Sequence, residues 1–379
     1  MTMVSWIFWT VLGVTVYVWA AYPLLVFLLA SIFGRKRSPV EESSISFVSI
    51  IIAVHNEEQQ IARKLDNCLG LAYSADRLEI IVASDGSTDR TEEIVRGYAA
   101  RDARIRWLPS ESRVGKSGVQ NLAAQHAQGD LLFFTDANTT MPSSVLRRMV
   151  DDLADPRVGL STATVLFGGA EDAVEKGQGF YWRYELLLRY AESDLGILAT
   201  GSGQALLVRR ELFRPLPSCY GDDCIMPLDV RAQGYKVVQR RDATVFDVMP
   251  HTIEGELRAR IRMTARNWTG TLARPSVLNP LRFPLTALGL VSHKLLRWLT
   301  PFCLAAAFLF NTLLAMKGQL VLMWWLQAVF YFSALIGWVL AKKQRRSWVF
   351  GYSFSFCLAN VGFLLGTMKA FRNQKIVAY

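Results

Sequence analysis

The chain has 379 residues, is 51% hydrophobic and carries a net charge of +10. That length exceeds one ordinary domain but suits a catalytic domain joined to several membrane spans. The basic surplus lies beside apolar runs, where anionic headgroups attract cationic side chains, so no nucleic-acid partner is expected. Cys68, Cys219, Cys224, Cys303 and Cys357 show no metal-ligand spacing and read as packing residues.

Residues 1–34 contain no Asp, Glu, Lys or Arg, and Val4 to Phe33 exceeds the roughly 20 apolar residues that cross a bilayer. A secretory leader would start with basic residues and have a shorter core. Here the charges follow, at Arg35, Lys36 and Arg37, so the segment reads as an anchor. Pro23 is expected to kink it.

From Ser46 to Phe167 short β-branched runs alternate with amphipathic stretches. Strands are expected at 46–54, 78–83, 104–108 and 130–135, and helices at 57–69, 88–100, 116–128 and 142–153. This alternation predicts an α/β fold with a doubly wound, mostly parallel sheet, whose ligands bind at the carboxyl ends of the strands. Those ends carry His55-Asn56-Glu57-Glu58, Ser84-Asp85-Gly86-Ser87-Thr88-Asp89 and Asp136-Ala137-Asn138. Taken singly, each cluster could be turn or cap chemistry. Three at one sheet edge point to a site. Two nucleotide motifs are excluded: no glycine opens the first helix as a dinucleotide site needs, and Ser110 stands where a P-loop ending in Gly115-Lys116-Ser117 needs glycine.

Downstream lies Gly221-Asp222-Asp223. One carboxylate set can hold a metal with a diphosphate while the other takes a proton. Arg262-Met263-Thr264-Ala265-Arg266-Asn267-Trp268 follows, then Pro280 to Trp298, whose apolar, cationic and Trp residues suit an interfacial helix. Three further uncharged runs, Leu299–Met316, Leu320–Ala341 and Ser347–Met368, are near spanning length. The domains expected are an N-terminal helix at 1–34, a catalytic domain at 45–260, an interfacial segment at 261–298, three spans at 299–368 and a tail at 369–379. Lys342-Lys343-Gln344-Arg345-Arg346 and Arg35–Arg37 place the catalytic domain in the cytoplasm of a bacterial inner membrane by the positive-inside rule. Three spans would then put the tail, with Lys369, Arg372 and Lys375, outside against that rule, unless one segment is re-entrant.

The strand-end clusters, Gly115-Lys116-Ser117-Gly118-Val119-Gln120-Asn121 and Gly221-Asp222-Asp223 with Gly234-Tyr235 resemble the inverting family 2 glycosyltransferases of the GT-A fold, over nearly the whole chain. The resemblance implies that Val54, Glu57 and Asp85 bind the nucleotide, the latter two at base and ribose, with Lys116 near the diphosphate. Asp136 resembles the first acid of the metal-binding Asp-x-Asp, with Asn138 as a neutral second ligand and Mg²⁺ or Mn²⁺ as cofactor. His251 is a possible helper; His126 and His293 receive no role. Asp223, beside Asp222, looks like the catalytic base. Processive synthases of the family carry Gln-x-x-Arg-Trp, which Arg262, Arg266 and Trp268 match imperfectly, so these residues and Gly203-Gln204 are expected near the acceptor and diphosphate; a basic helix on headgroups is the alternative for the Arg/Trp stretch. The implied reaction moves sugar from a nucleotide-diphospho-sugar, UDP-linked, to a hydroxyl of a polysaccharide or lipid-linked oligosaccharide at the lipid bilayer. Alternatives are a polyprenyl-phosphate hexosyltransferase and a catalytically silent subunit that binds nucleotide sugar.

Overall fold

The structure, a computed structural model, describes residues 2–34, 46–167, 180–247, 252–343, 345 and 347–372. The chain opens with α1 (Met3–Val16), a π turn at Tyr17–Ala21 and α2 (Tyr22–Phe33). The π turn sits just before Pro23, whose ring has no N–H and crowds the preceding turn, so the irregularity falls where the kink was expected.

The catalytic region runs β1 (Val48–Val54), α3 (Ile61–Leu69), β2 (Leu78–Ser84), α4 (Thr91–Ala99), β3 (Ile105–Pro109), α5 (Gly115–His126), β4 (Leu131–Asp136), α6 (Val145–Asp152) and β5 (Val158–Phe167). It continues with α7 (Phe180–Asp194), β6 (Ala205–Arg209), α8 (Asp222–Ala232) and β7 (Lys236–Asp247). The seven strands are ordered β3-β2-β1-β4-β6-β5-β7. All pairings are parallel except those of β6, which is antiparallel to both β4 and β5. The expected mostly parallel α/β sheet is therefore present.

Side-chain alternation in β1 divides the core. Ile50 and Ile52 pack on one face with Ile61, Leu65 and Leu146, while Ile51 packs on the other with Val119, Phe134 and Ile225. Both faces are covered, which explains why β1 reads as a continuous apolar run. Between β1 and β4 the winding direction reverses, and the loops leaving their carboxyl ends diverge into a crevice.

After β7 come α9 (Ile253–Leu272), α10 (Pro284–Gly289), a π turn at Leu290–Leu295, α11 (Leu296–Ala315), α12 (Val321–Lys342) and α13 (Trp348–Phe371). Four helical stretches, Met3–Phe33, Pro284–Ala315, Val321–Lys342 and Val349–Phe371, are long and apolar enough to cross a membrane. They match the expected spans with one difference. The stretch expected to be a separate interfacial helix, 280–298, instead runs through the π turn into α11, because a π turn keeps the chain helical where Pro284 starts it. The two π turns meet: Tyr17 Oη and Ser292 Oγ are 2.8 Å apart.

Candidate active site

The loop after β1 turns through Asn56, whose φ of 55° is the left-handed region that asparagine tolerates. Asn56 Oδ1 accepts from Thr88 N at 2.8 Å, locking the ends of β1 and β2 together. Asp85 is fully buried, and its Oδ1 accepts from Val114 N at 2.7 Å and Gly115 N at 2.9 Å. It thereby fixes the entry to α5, which presents Lys116 one residue later. Asp85 Oδ2 has no partner among the described residues. Half-buried Glu57 has its carboxyl pushed up by burial and then by the neighbouring Asp136 charge. Val54 is a core residue, and its carbonyl accepts from Asp85 N.

Lys116 Nζ lies 2.7 Å from Asp136 Oδ1 and 3.0 Å from Asp222 Oδ2. Burial acts to lower its pKa, but the two carboxylates outweigh burial and hold the ammonium charged. Behind Asp136, the buried Lys64 Nζ donates to Thr135 Oγ1 at 2.9 Å and Thr139 O at 2.8 Å, bracing the end of β4.

Asp222 and Asp223 occupy the first turn of α8, where the helix dipole favours negative charge. Their surroundings differ. Asp222 Oδ2 accepts from Gln120 Nε2 at 3.0 Å as well as from Lys116, and Oδ1 accepts from Asp223 N at 3.1 Å. Burial would raise its pKa, but Lys116 and Gln120 draw it below the ordinary aspartate range. Asp223 is raised by burial and by the Asp222 charge, although Arg266, Lys116 and Arg189 oppose the rise. Among the described residues no side chain pairs with its carboxylate, which faces a cavity of about 410 Å³. Gly221 leaves room for this carboxylate, since a Cβ there would come within 2.4 Å of Asp223 Oδ1 and displace it.

Asp136, Asn138, Lys116, Asp222 and Asp223 line that cavity together with Gly203, Gln204, Arg262 and Arg266, and Gly203 lies beside Asp222. Val54, Glu57 and Asp85 do not line it. Arg266 donates from Nη2 to Tyr220 O, which ties α9 to the loop before α8. Trp268, expected beside the acceptor, lies elsewhere: its ring centroid is 5.4 Å from those of Trp298 and Phe371. Two residues along a helix is about 200° of rotation, so a helix that turns Arg266 to the cavity turns Trp268 away.

Three contributors were not read from the sequence. Asp247, closing β7, accepts from Asn138 Nδ2 and Gln204 Nε2, both at 2.9 Å. The strand-end rule would have found it had β7 been recognised. Arg189 on α7 lines the cavity from within an amphipathic run and had no local signal. His293 bridges two acids, with Nδ1 2.8 Å from Glu192 Oε1 and Nε2 2.9 Å from Glu185 Oε2. His251 lies outside the described residues.

Asp136, Asp247 and Asn138 all line the cavity, and their side-chain oxygens are the donor type that suits a hard divalent cation. No three His, Cys, Asp or Glu side chains converge into a cage among the described residues. Such an ion would complete its shell with water or phosphate oxygens, as Mg²⁺ commonly does.

Residues 49–216 match the profile of "Glycosyl transferase family 2". An N-acetylglucosaminyltransferase of Rhizobium meliloti is 27% identical over 256 residues, 62% of this chain and 59% of the relative. A beta-monoglucosyldiacylglycerol synthase of Nostoc is 28% identical over 224 residues, 58% of this chain and 46% of the relative. The chain thus spans about half of these relatives' lengths. Among solved structures, a mannosyltransferase from Pyrobaculum calidifontis, in complex with GDP-Man and Mn²⁺, superimposes with a TM-score of 0.74 at 23% identity, covering 97% of this chain and 99% of that one. The same α/β architecture and helix complement are therefore shared, and residues 49–216, which hold the strand-end acids and Lys116, are similar to the glycosyl transferase family 2 domain.

Proposed function

We propose that the chain is an inverting glycosyltransferase that moves a sugar from a nucleotide-diphospho-sugar, UDP-linked, to a hydroxyl of a glycan or lipid-linked acceptor at a membrane. The carrying observation is the contrast between two adjacent carboxylates: Asp222 is bonded and drawn toward ionisation, whereas Asp223 has no side-chain partner among the described residues, is raised in pKa and lines the cavity. Environments that push neighbouring titratable groups apart mark acid–base assignments.

In this reading Asp223 takes the proton of the attacking hydroxyl, and one displacement inverts the anomeric carbon. Lys116 and Arg266 supply positive charge for the departing diphosphate. A Mg²⁺ or Mn²⁺ held by Asp136, Asp247 and Asn138 would add neutralisation of that charge. Glu57 and Asp85 flank the β1–β2 end of the crevice and serve base and ribose, Asp85 by ordering the backbone ahead of Lys116. Gly203 and Gln204 border the acceptor. The catalytic domain lies on the cytoplasmic side of a bacterial inner membrane, with the four apolar helices as spans. The names of the relatives support sugar transfer to glycan or lipid.

The test is Asp223→Asn assayed with radiolabelled nucleotide sugars and membrane lipids. Transfer should fall roughly 10²–10⁴-fold, the usual cost of losing a general base, with UDP affinity nearly unchanged. A near wild-type rate would remove the base assignment and favour an acceptor that is already an anion, such as a polyprenyl phosphate.

A further inference from the structure

A second cavity of about 100 Å³ adjoins the first, and Arg189, Asp223 and Asn267 belong to the walls of both. It continues past Lys294 to Trp298 on α11 and Phe363 on α13, two helices long and apolar enough to span a membrane. The two adjoining cavities therefore run from the Asp223 carboxylate to Trp298 and Phe363, buried between the apolar helices.

Its cationic groups are unequally satisfied. Lys294 Nζ is 2.6 Å from Glu185 Oε1, and Arg260 Nη2 is 2.7 Å from Glu256 Oε1. Arg189 differs: it is only 9% exposed, its Nη1 donates to Ser202 Oγ at 3.2 Å, and its Nε and Nη2 have no partner among the described residues. Leaving buried donors unpaired is costly, more so on a charged group. The planar fork of a guanidinium matches phosphate oxygens in pairs. Beyond it, Trp298 and Phe363 offer an apolar wall suited to hydrocarbon.

We propose that this passage is the acceptor subsite and that the acceptor is an anionic amphiphile. Its phosphate, as monoester or diester, rests on Arg189, a nearby hydroxyl reaches Asp223, and its hydrocarbon leaves along Trp298 and Phe363. This rests on the transferase reading above and adds the class of acceptor. The hydroxyl oxygen bonds to the anomeric carbon, the bond from that carbon to the diphosphate oxygen breaks with its electron pair going to the nucleoside diphosphate, and the hydroxyl proton passes to Asp223. The phosphate on Arg189 is unchanged. A neutral lipid alcohol would leave the guanidinium unsatisfied and be discriminated against.

The full chain in neutral detergent, titrated by native mass spectrometry, tests this with three probes: phosphatidylglycerol (diester with hydroxyls), farnesyl phosphate (monoester without one) and diacylglycerol (hydroxyl without charge). At least one anionic probe should bind tenfold or more tighter than diacylglycerol, and the tighter of the two identifies diester or monoester. Arg189→Gln should erase the preference and Arg189→Lys should retain part of it. Diacylglycerol binding as tightly as both anionic probes, or a preference that survives Arg189→Gln, overturns the proposal. The wild-type ranking decides even if Arg189→Gln does not fold. UDP and GDP binding, measured on the same sample with Mn²⁺, separates the two readings. Nucleotide binding without lipid discrimination removes the acceptor class alone, whereas lipid discrimination without nucleotide binding removes the transferase reading.

Discussion

The proposed base, Asp223, can take a proton only when ionised, and burial together with the Asp222 charge raises its pKa. As pH falls through that value the carboxylate is protonated and transfer is lost. The acid limb of kcat/KM should therefore lie above the ordinary aspartate value of about 3.9. Gln120→Leu leaves Lys116 on Asp222 but removes the amide that also holds it, so the limb should move measurably while the fold persists. At the proposed cation site, Asp136→Ala should weaken UDP binding only when Mg²⁺ or Mn²⁺ is present, and Asn138→Asp should tighten binding of the metal itself, both readable by titration calorimetry. Equal UDP affinity for wild type and Asp136→Ala in the presence of metal would count against it. Asp136 and Asp223, which line the cavity, were legible as positions because an acid after a parallel strand, or at the start of a helix, has a local signature. Asp85 carries the same signature but holds the entry to α5. Arg189 and Asp247 were not legible, since their partners Ser202, Asn138 and Gln204 are fixed by tertiary assembly.

At the scale of elements, α9 couples the cavity to the apolar helices. It lies along α13, where Gly362 and Gly366 permit close approach: a Cβ at Gly366 would be 2.6 Å from Thr264 Cβ, and one at Gly362 would be 2.8 Å from Arg260 Cβ. Gly366→Val should force the helices apart, lowering stability by about 1–3 kcal/mol, the usual cost of overpacking. Acceptor turnover should fall more than UDP binding, because Met263 and Arg266 on α9 line the cavity. Trp268, 6% exposed against Trp298 and Phe371, makes a different prediction. Trp268→Ala should cost about 3–5 kcal/mol in detergent unfolding, with a smaller effect on the rate of the folded fraction. The strands through β4 were legible from alternation, whereas β5 was not placed. β6 and β7 were not read, since β6 inserts antiparallel into a sheet whose rhythm up to that point predicts a helix between parallel strands. The 280–298 segment was read as a helix of its own from its mixed apolar and cationic composition, and no local signal marks its continuity with α11.

For the whole molecule, α7 is the tie between catalytic domain and apolar helices. Glu185 meets His293, Lys294 and Arg297 at 2.9, 2.6 and 2.5 Å, and Tyr22 Oη on α2 donates to Glu192 at 2.7 Å. Burial would raise the Glu185 carboxyl, but these three partners hold it well below the usual range. Removing it leaves buried cations uncompensated, so Glu185→Ala should destabilise the protein by about 3–5 kcal/mol, seen as a lower melting temperature in detergent. The sequence carries no local sign of this cluster, because only the docking of α7 onto α11 brings its members together. The proposed acceptor passage past Trp298 and Phe363 would also set the dimensionality of the reaction. An acceptor entering from the flank of the spans is met by lateral diffusion in two dimensions, so its effective concentration is a mole fraction of lipid. Diluting the membrane with inert lipid at constant total acceptor should slow transfer in proportion, while the KM for the donor, which arrives from water, stays where it was.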